Sequence, residues 1–168
     1  EVRDKGSSLV SQEVLNKLLK NLVTVVMPGC RRDNFILSEG DLPHLCTMLS
    51  SSIETLGNQI LSAFQYNCVS AECFPNGACK SCKQNADCVT RDFLVALPEI
   101  QDFSKADIIV AYEGDPAAQS TMEVIQSYPG LFAIIVHRIA HFLYKNDVPL
   151  IPRIMAEVAH SLTGIDIH

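Results

Sequence analysis

Five cysteines lie close together in the chain, and their spacing is typical of a metal site. They fall within twenty-one residues of a Gly- and Asn-containing stretch: Cys68, Cys73, Cys79, Cys82 and Cys88. Cys79-x-x-Cys82 can chelate one ion through both sulfurs, and Cys73 with Cys68 or Cys88 can complete a tetrahedral zinc site. An iron–sulfur cluster uses the same ligands. Reduced thiols without a metal and a disulfide staple remain as alternatives, and a reducing cytoplasm disfavours the disulfide.

Two histidines four residues apart, His137 and His141, form a second candidate for chemistry. On a helix they share one face, which is a spacing that zinc ligands use. Position 138 is Arg, however, whereas the metalloprotease motif requires Glu there. We therefore favour packing and hydrogen bonding over metal binding for this pair.

The composition excludes several classes of function. The 168 residues carry a net charge of −6, and 48% of them are apolar. This length and apolar content suffice for one domain with a core. The acidic balance argues against a general nucleic-acid binder, which needs a basic face. The apolar run 131–136 is too short to cross a membrane, and the charged start, 1–5, is not a secretory signal. We expect a cytoplasmic location.

The spacing of apolar residues predicts a mainly α fold of six or seven helices. A loop is expected from about Tyr66 to Asn85, and a break is expected at Pro98 because proline interrupts helical hydrogen bonding. The last two predicted helices each begin with a proline, whose fixed φ suits the first turn. The predicted helical segments are 9–27, 41–64, 86–112 with its break, 129–146 and 149–162.

The last six residues resemble the beginning of a further structural element. Gly164 follows a helical pattern and is typical of a helix end. The alternation over 165–168 then predicts a strand. A strand without a partner cannot satisfy its backbone groups or bury its apolar side. We expect the segment to lead into further structure, with an ordinary frayed terminus as the alternative.

Four motifs in the second half follow one another in an order and spacing that resembles serine acetyltransferase: 110–118, 128–134, 137–141 and 163–168. The resemblance extends from about Leu97 to His168. It implies a helical N-terminal domain over 1–162, with the Cys-rich loop at about 66–88. It also implies that 163–168 is the first strand of a left-handed parallel β-helix of hexapeptide repeats, whose other residues are not in this sequence.

The resemblance implies an acyltransferase that moves the acetyl group of acetyl-CoA to the hydroxyl of L-serine. The product, O-acetylserine, feeds cysteine biosynthesis. In this family a His–Asp pair activates the hydroxyl. Its Asp corresponds to Asp166, and its His lies beyond residue 168. The family also places Asp115 in the serine pocket. The alternatives are a helix N-cap for Asp115 and an exposed strand residue for Asp166. Neither can transfer an acetyl group unaided, so we expect the 168-residue chain alone to be inactive.

The resemblance further implies a homo-oligomer, either a trimer or a hexamer assembled through the helical domains. The resemblance also implies O-acetylserine sulfhydrylase as a candidate partner. Neither nucleic acid nor a membrane is expected as a partner. The resemblance does not explain the five clustered cysteines, which remain candidates for zinc or an iron–sulfur cluster. The alternative function is a non-catalytic oligomerisation module with a metal-binding or redox-responsive Cys loop.

Overall fold

A computed structural model describes residues 10–28, 42–68 and 79–167. Within these ranges the chain forms six α-helices, which confirms the predicted mainly α fold. Helix α4 was not predicted individually, because seven residues are too few for the helical period to be recognised. The helices are α1 (Gln12–Val26), α2 (Leu42–Asn67), α3 (Lys80–Gly114), α4 (Thr121–Ser127), α5 (Pro129–Lys145) and α6 (Ile151–Thr163).

Helix α1 forms as its apolar spacing predicts. Ser11 caps it, since its hydroxyl accepts a hydrogen bond from the Val14 backbone N–H at 3.3 Å. One face of the helix is buried against α2 and α6. The buried apolar residues of α1 recur at helical spacing: Leu15, Leu18, Leu19, Leu22, Val23 and Val26.

Helix α3 begins earlier than the sequence predicts, and it lacks the predicted break in its middle. It begins at Lys80 and α2 extends to Asn67, so the segments 66–67 and 80–85 are helical and the predicted loop is wrong there. It also continues through Pro98 without a break, and the expected break is wrong as well. Proline cannot donate to the carbonyl of Leu94. Both Pro98 and Leu94 are exposed, so water can satisfy that carbonyl and the helix persists.

Helices α5 and α6 pack together as an antiparallel pair, and α5 also packs on α3. Pro129 begins α5 as predicted, whereas the proline in the first turn of α6 is Pro152 and not Pro149. None of the helices in the described ranges combines the length and apolar character that crossing a bilayer requires. The core residues with no exposed side chain include Phe93, Leu56, Ile60, Ile135, Ile139 and Met155.

The end of α6 confirms that Gly164 closes the helix. Its φ of 73° is in the left-handed region that glycine adopts without strain. Its N–H donates to the His160 carbonyl at 2.7 Å. The following residues, 165–167, belong to no helix or strand, and His168 lies outside the described residues. The assignment of 163–168 as a first strand remains a prediction.

Candidate functional site

Asp115 lies at the C-terminal end of α3 and organises the turn that follows it. Its Oδ1 accepts a hydrogen bond from the backbone N–H of Ala117 at 2.9 Å. Its Oδ2 accepts a hydrogen bond from the phenol of Tyr128, which is the residue before α5. The carboxylate therefore ties the end of α3 to the beginning of α5.

The N-cap alternative for Asp115 is wrong. Helix α4 begins only at Thr121, and Ser120 is its N-cap. The Ser120 hydroxyl accepts the hydrogen bond from the Glu123 backbone N–H at 3.1 Å. Asp115 is instead the residue that ends α3, and its side chain bonds forward into the turn.

The charge state of Asp115 follows from these two donors. The Tyr128 hydroxyl first, and the Ala117 N–H second, lower the pKa of the Asp115 carboxyl below its ordinary value of 3.8. The same contact with Asp115 raises the pKa of Tyr128 to about 12. Asp115 is only partly buried. The site thus presents an ionised carboxylate, held in position by a protonated phenol, that a solute can reach.

Asp166 lies in a different place, in an open groove of about 550 Å³ between α5 and α6. The segment that follows α6 runs back along this helix pair, because Ile165 lies against Gly130 near the start of α5. Asp115 is not among the residues that line this groove. The polar groove residues that share the groove with Asp166 are His137, His141, Tyr144, Arg153 and Glu157.

His137 and His141 share one face of α5, as predicted. Their rings are 5.8 Å apart between centroids and 28° from parallel. Burial, then the nearby charges of His141 and Arg138, lowers the pKa of His137. These effects favour the uncharged form of the His137 imidazole. Among residues 10–28, 42–68 and 79–167, no third metal-ligating side chain lies close enough to this pair to hold an ion.

An ion pair that the sequence analysis missed fixes α5 against α3. The Arg138 guanidinium donates through Nη2 to both carboxylate oxygens of Asp107 at 2.8 Å, and through Nε to Oδ2 at 3.0 Å. Its Cζ also lies 5.0 Å from the ring centroid of Phe103. The partners are thirty-one residues apart in the chain, so no local pattern pairs them. This contact positions the helix that carries both groove histidines.

Three of the five clustered cysteines come together where α3 begins. The Sγ atoms of Cys68, Cys79 and Cys82 all lie within 4.8 Å of one another. Cys79 and Cys82 are buried, and Cys68 is partly buried. Cys88 is exposed on α3 and does not belong to this group. Cys73 lies outside the described residues. The structure therefore brings three of the five candidate cysteines together and leaves Cys88 apart.

Relatives and solved structures that match this chain are named serine acetyltransferase. No family model matches the sequence. The chain is 38% identical over 165 residues to the protein of Synechococcus elongatus named "Serine acetyltransferase, plasmid". That match covers 98% of this chain and 51% of the relative.

Two solved structures share the fold. The native serine acetyltransferase 1 of Entamoeba histolytica matches with a TM-score of 0.69 and 29% identity, over 100% of this chain and 54% of that one. Serine acetyltransferase isoform 3 of the same organism, in complex with cysteine, matches with a TM-score of 0.70 and 28% identity, over 100% of this chain and 50% of that one. The chain thus spans about half the length of these relatives. It matches the N-terminal helical region of these serine acetyltransferases.

Proposed function

We propose that this chain is the helical part of a serine O-acetyltransferase, which moves an acetyl group from acetyl-CoA to the hydroxyl of L-serine. The observation that carries the proposal is the extent of the match, 38% identity over 98% of the chain. The helical fold superposes on two serine acetyltransferases over the whole chain. The product, O-acetylserine, would enter cysteine biosynthesis. Because the chain spans about half of its relatives, the 168 residues alone are expected to be inactive.

In this proposal Asp166 orients the general base. A serine hydroxyl is a weak nucleophile, so a base must take its proton as the oxygen attacks the thioester. A carboxyl group has an ordinary pKa near 4 and is a poor base at neutral pH. A histidine held by a carboxylate is effective, since the carboxylate fixes the tautomer and stabilises the imidazolium. Asp166 is exposed just beyond α6, where it can meet a histidine supplied by residues outside this sequence.

Asp115 would hold the substrate. Its carboxylate is kept ionised by the Tyr128 hydroxyl and the Ala117 N–H. Each of its oxygens accepts one of these hydrogen bonds, and each retains a further lone pair. An ionised, fixed and partly exposed carboxylate is suited to the ammonium group of an amino acid. Tyr128 then serves as a positioning residue for Asp115.

The test is a steady-state assay on the natural full-length protein, following loss of the acetyl-CoA thioester with and without L-serine. Asp166→Asn should lower kcat by roughly 10²–10⁴-fold with little change in KM, since it removes the group that orients the base. Asp115→Asn should mainly raise KM for serine. Asp102→Asn, which changes an exposed aspartate of α3, is the matched control and should leave both constants unchanged. Thioester loss that does not depend on serine would contradict the proposal.

We further propose that the protein is a cytoplasmic homo-oligomer, a trimer or a hexamer, and that O-acetylserine sulfhydrylase is a candidate partner. Exposed apolar side chains on α3 support the oligomer, because a helix in water rarely leaves so many uncovered. Val95 is 76% exposed, Val110 is 68% exposed and Ile109 is 51% exposed. Light scattering over a range of concentrations tests the assembly, and a monomer at every concentration would exclude it.

A further inference from the structure

The three cysteine sulfurs at the start of α3 are spaced as ligands of a single tetrahedral ion. A zinc–sulfur bond is about 2.3 Å long, so two sulfurs on one tetrahedral zinc are about 3.8 Å apart. The Sγ atoms of Cys68 and Cys79 are 3.8 Å apart. All three Sγ atoms, including that of Cys82, lie within 4.8 Å of one another. Side-chain adjustments of less than about 1 Å would bring the whole group to the distances that zinc requires.

The arrangement suits a metal better than a disulfide. A disulfide needs its sulfurs about 2.05 Å apart and uses two of them. The 3.8 Å between Cys68 and Cys79 is far longer than that. A bridge between any two of the three would also leave the third thiol beside it unused. One ion engages all three sulfurs at once.

The backbone at this point favours the thiolate form that a metal needs. Cys79 is the N-cap of α3 and Cys82 lies in its first turn. The exposed N–H groups and the positive end of the helix dipole stabilise thiolates at such positions. Lys80 follows Cys79 and Lys83 follows Cys82 in the chain, and both lysines are exposed. They can offset the net negative charge that three thiolates leave on a divalent ion.

Few of the described apolar side chains lie around these sulfurs. Cys79 and Cys82 form a small cluster separate from the main core, and among the described residues Leu61, Phe64 and Cys68 pack against it. So small an apolar cluster contributes little free energy. An ion bound to Cys68 beside the end of α2 and to the first turn of α3 would join the two helices at a point where the described residues make few apolar contacts.

We propose that Cys68, Cys79 and Cys82 bind one zinc ion as thiolates and that this ion has a structural role. Binding releases the thiol protons to solvent and involves no redox change. The fourth coordination position is filled by a ligand other than these three. The proposal is independent of the acetyl transfer, because neither Asp115 nor Asp166 belongs to this group.

The first test is the metal content of the natural full-length protein, purified without oxygen and without chelators. Elemental analysis should find about one zinc per chain. Cobalt(II) added to the metal-free protein should give the thiolate-to-cobalt charge-transfer absorption and the visible bands of a tetrahedral site. Three outcomes would overturn the proposal: no metal above background, iron with acid-labile sulfide, or a Cys68–Cys79 disulfide in peptide mapping.

The second test compares variants on the same helix. Cys82→Ser removes a proposed ligand and should weaken zinc binding by more than the roughly 10–100-fold that loss of an outer-shell partner costs. Cys88→Ser is the matched control, because Cys88 is an exposed cysteine of α3 outside the group. Its zinc affinity should equal that of the unaltered protein. Equal losses in both variants would overturn the assignment of ligands.

A measurement without any substitution covers the case in which Cys82→Ser fails to fold. Removing the metal from the unaltered protein with a chelator should lower its melting temperature, and adding zinc alone should restore it. Zinc should protect Cys68, Cys79 and Cys82 from alkylation, and peptide mapping should find all three among the protected thiols. A melting temperature that is the same with and without zinc would overturn the structural role.

Discussion

The ion pair between Arg138 and Asp107 gives the sharpest test of how α5 is held against α3. We consider the variants Arg138→Met, which keeps an apolar stem but removes the guanidinium, and Asp107→Asn, which keeps the shape but removes the charge. Helix α3 also carries a control pair, Asp102 and Lys105, in which the Lys105 Nζ lies 2.9 Å from the Asp102 Oδ1. Lys105→Met and Asp102→Asn are the corresponding control variants.

The expected coupling follows from exposure and geometry. Arg138 and Asp107 are 29% and 24% exposed, and three N–O contacts of 3.0 Å or less join them. Exposed pairs contribute about 0–1 kcal/mol, and loss of one partner of a fully buried pair costs about 3–5 kcal/mol. A bidentate pair between these limits should show a coupling of about 1–2 kcal/mol. Lys105 and Asp102 are 56% and 75% exposed and should couple by less than about 0.5 kcal/mol.

The assay is a double-mutant cycle for each pair, with the free energy of unfolding measured by urea denaturation and circular dichroism. The cycle isolates the pairwise energy, so the lost contact of the Arg138 guanidinium with the Phe103 ring cancels. Arg138→Lys should recover less than half of the coupling, because an ammonium cannot make the bidentate contact. The reasoning is refuted if the two cycles give equal coupling energies, or if Arg138→Lys is as stable as the unaltered protein.

Three further predictions concern single positions. Tyrosinate absorption should show one phenol titrating near pH 12, because Asp115 raises the pKa of Tyr128 to about 12, and Tyr128→Phe should lack this titration. The stability that the contact contributes is present below pH 10 and is lost as the pH rises toward 12. Phe93→Ala should destabilise by about 3–5 kcal/mol in urea denaturation, since Phe93 is fully buried, whereas Glu54→Ala at an exposed position of α2 should change stability by less than about 0.5 kcal/mol. Gly164→Ala should cost about 1 kcal/mol in thermal unfolding, because its φ of 73° strains any side chain although nothing lies within 4 Å of an added Cβ; equal stability would show that the left-handed cap is not needed.

The sequence by itself determined most of the helices and the relationship to a known family. Apolar spacing is a local property, so it predicted α1 and the faces that α1 buries. Residue type predicted that Pro129 begins α5 and that Gly164 ends α6, because both positions depend on the backbone conformation of one residue. Motif order in the second half was enough to predict the relationship to serine acetyltransferase, which the comparisons confirm.

Only the tertiary structure decided which residues meet. Local rules predicted a break at Pro98, but the helix continues because that position faces water. The Cys88 side chain lies in the same stretch as the other cysteines and yet apart from their sulfurs, since its place on α3 is exposed. Tyr128 reaches Asp115 across thirteen residues, and Arg138 reaches Asp107 across thirty-one. Such pairings depend on how helices pack in space, which residue spacing along the chain does not encode.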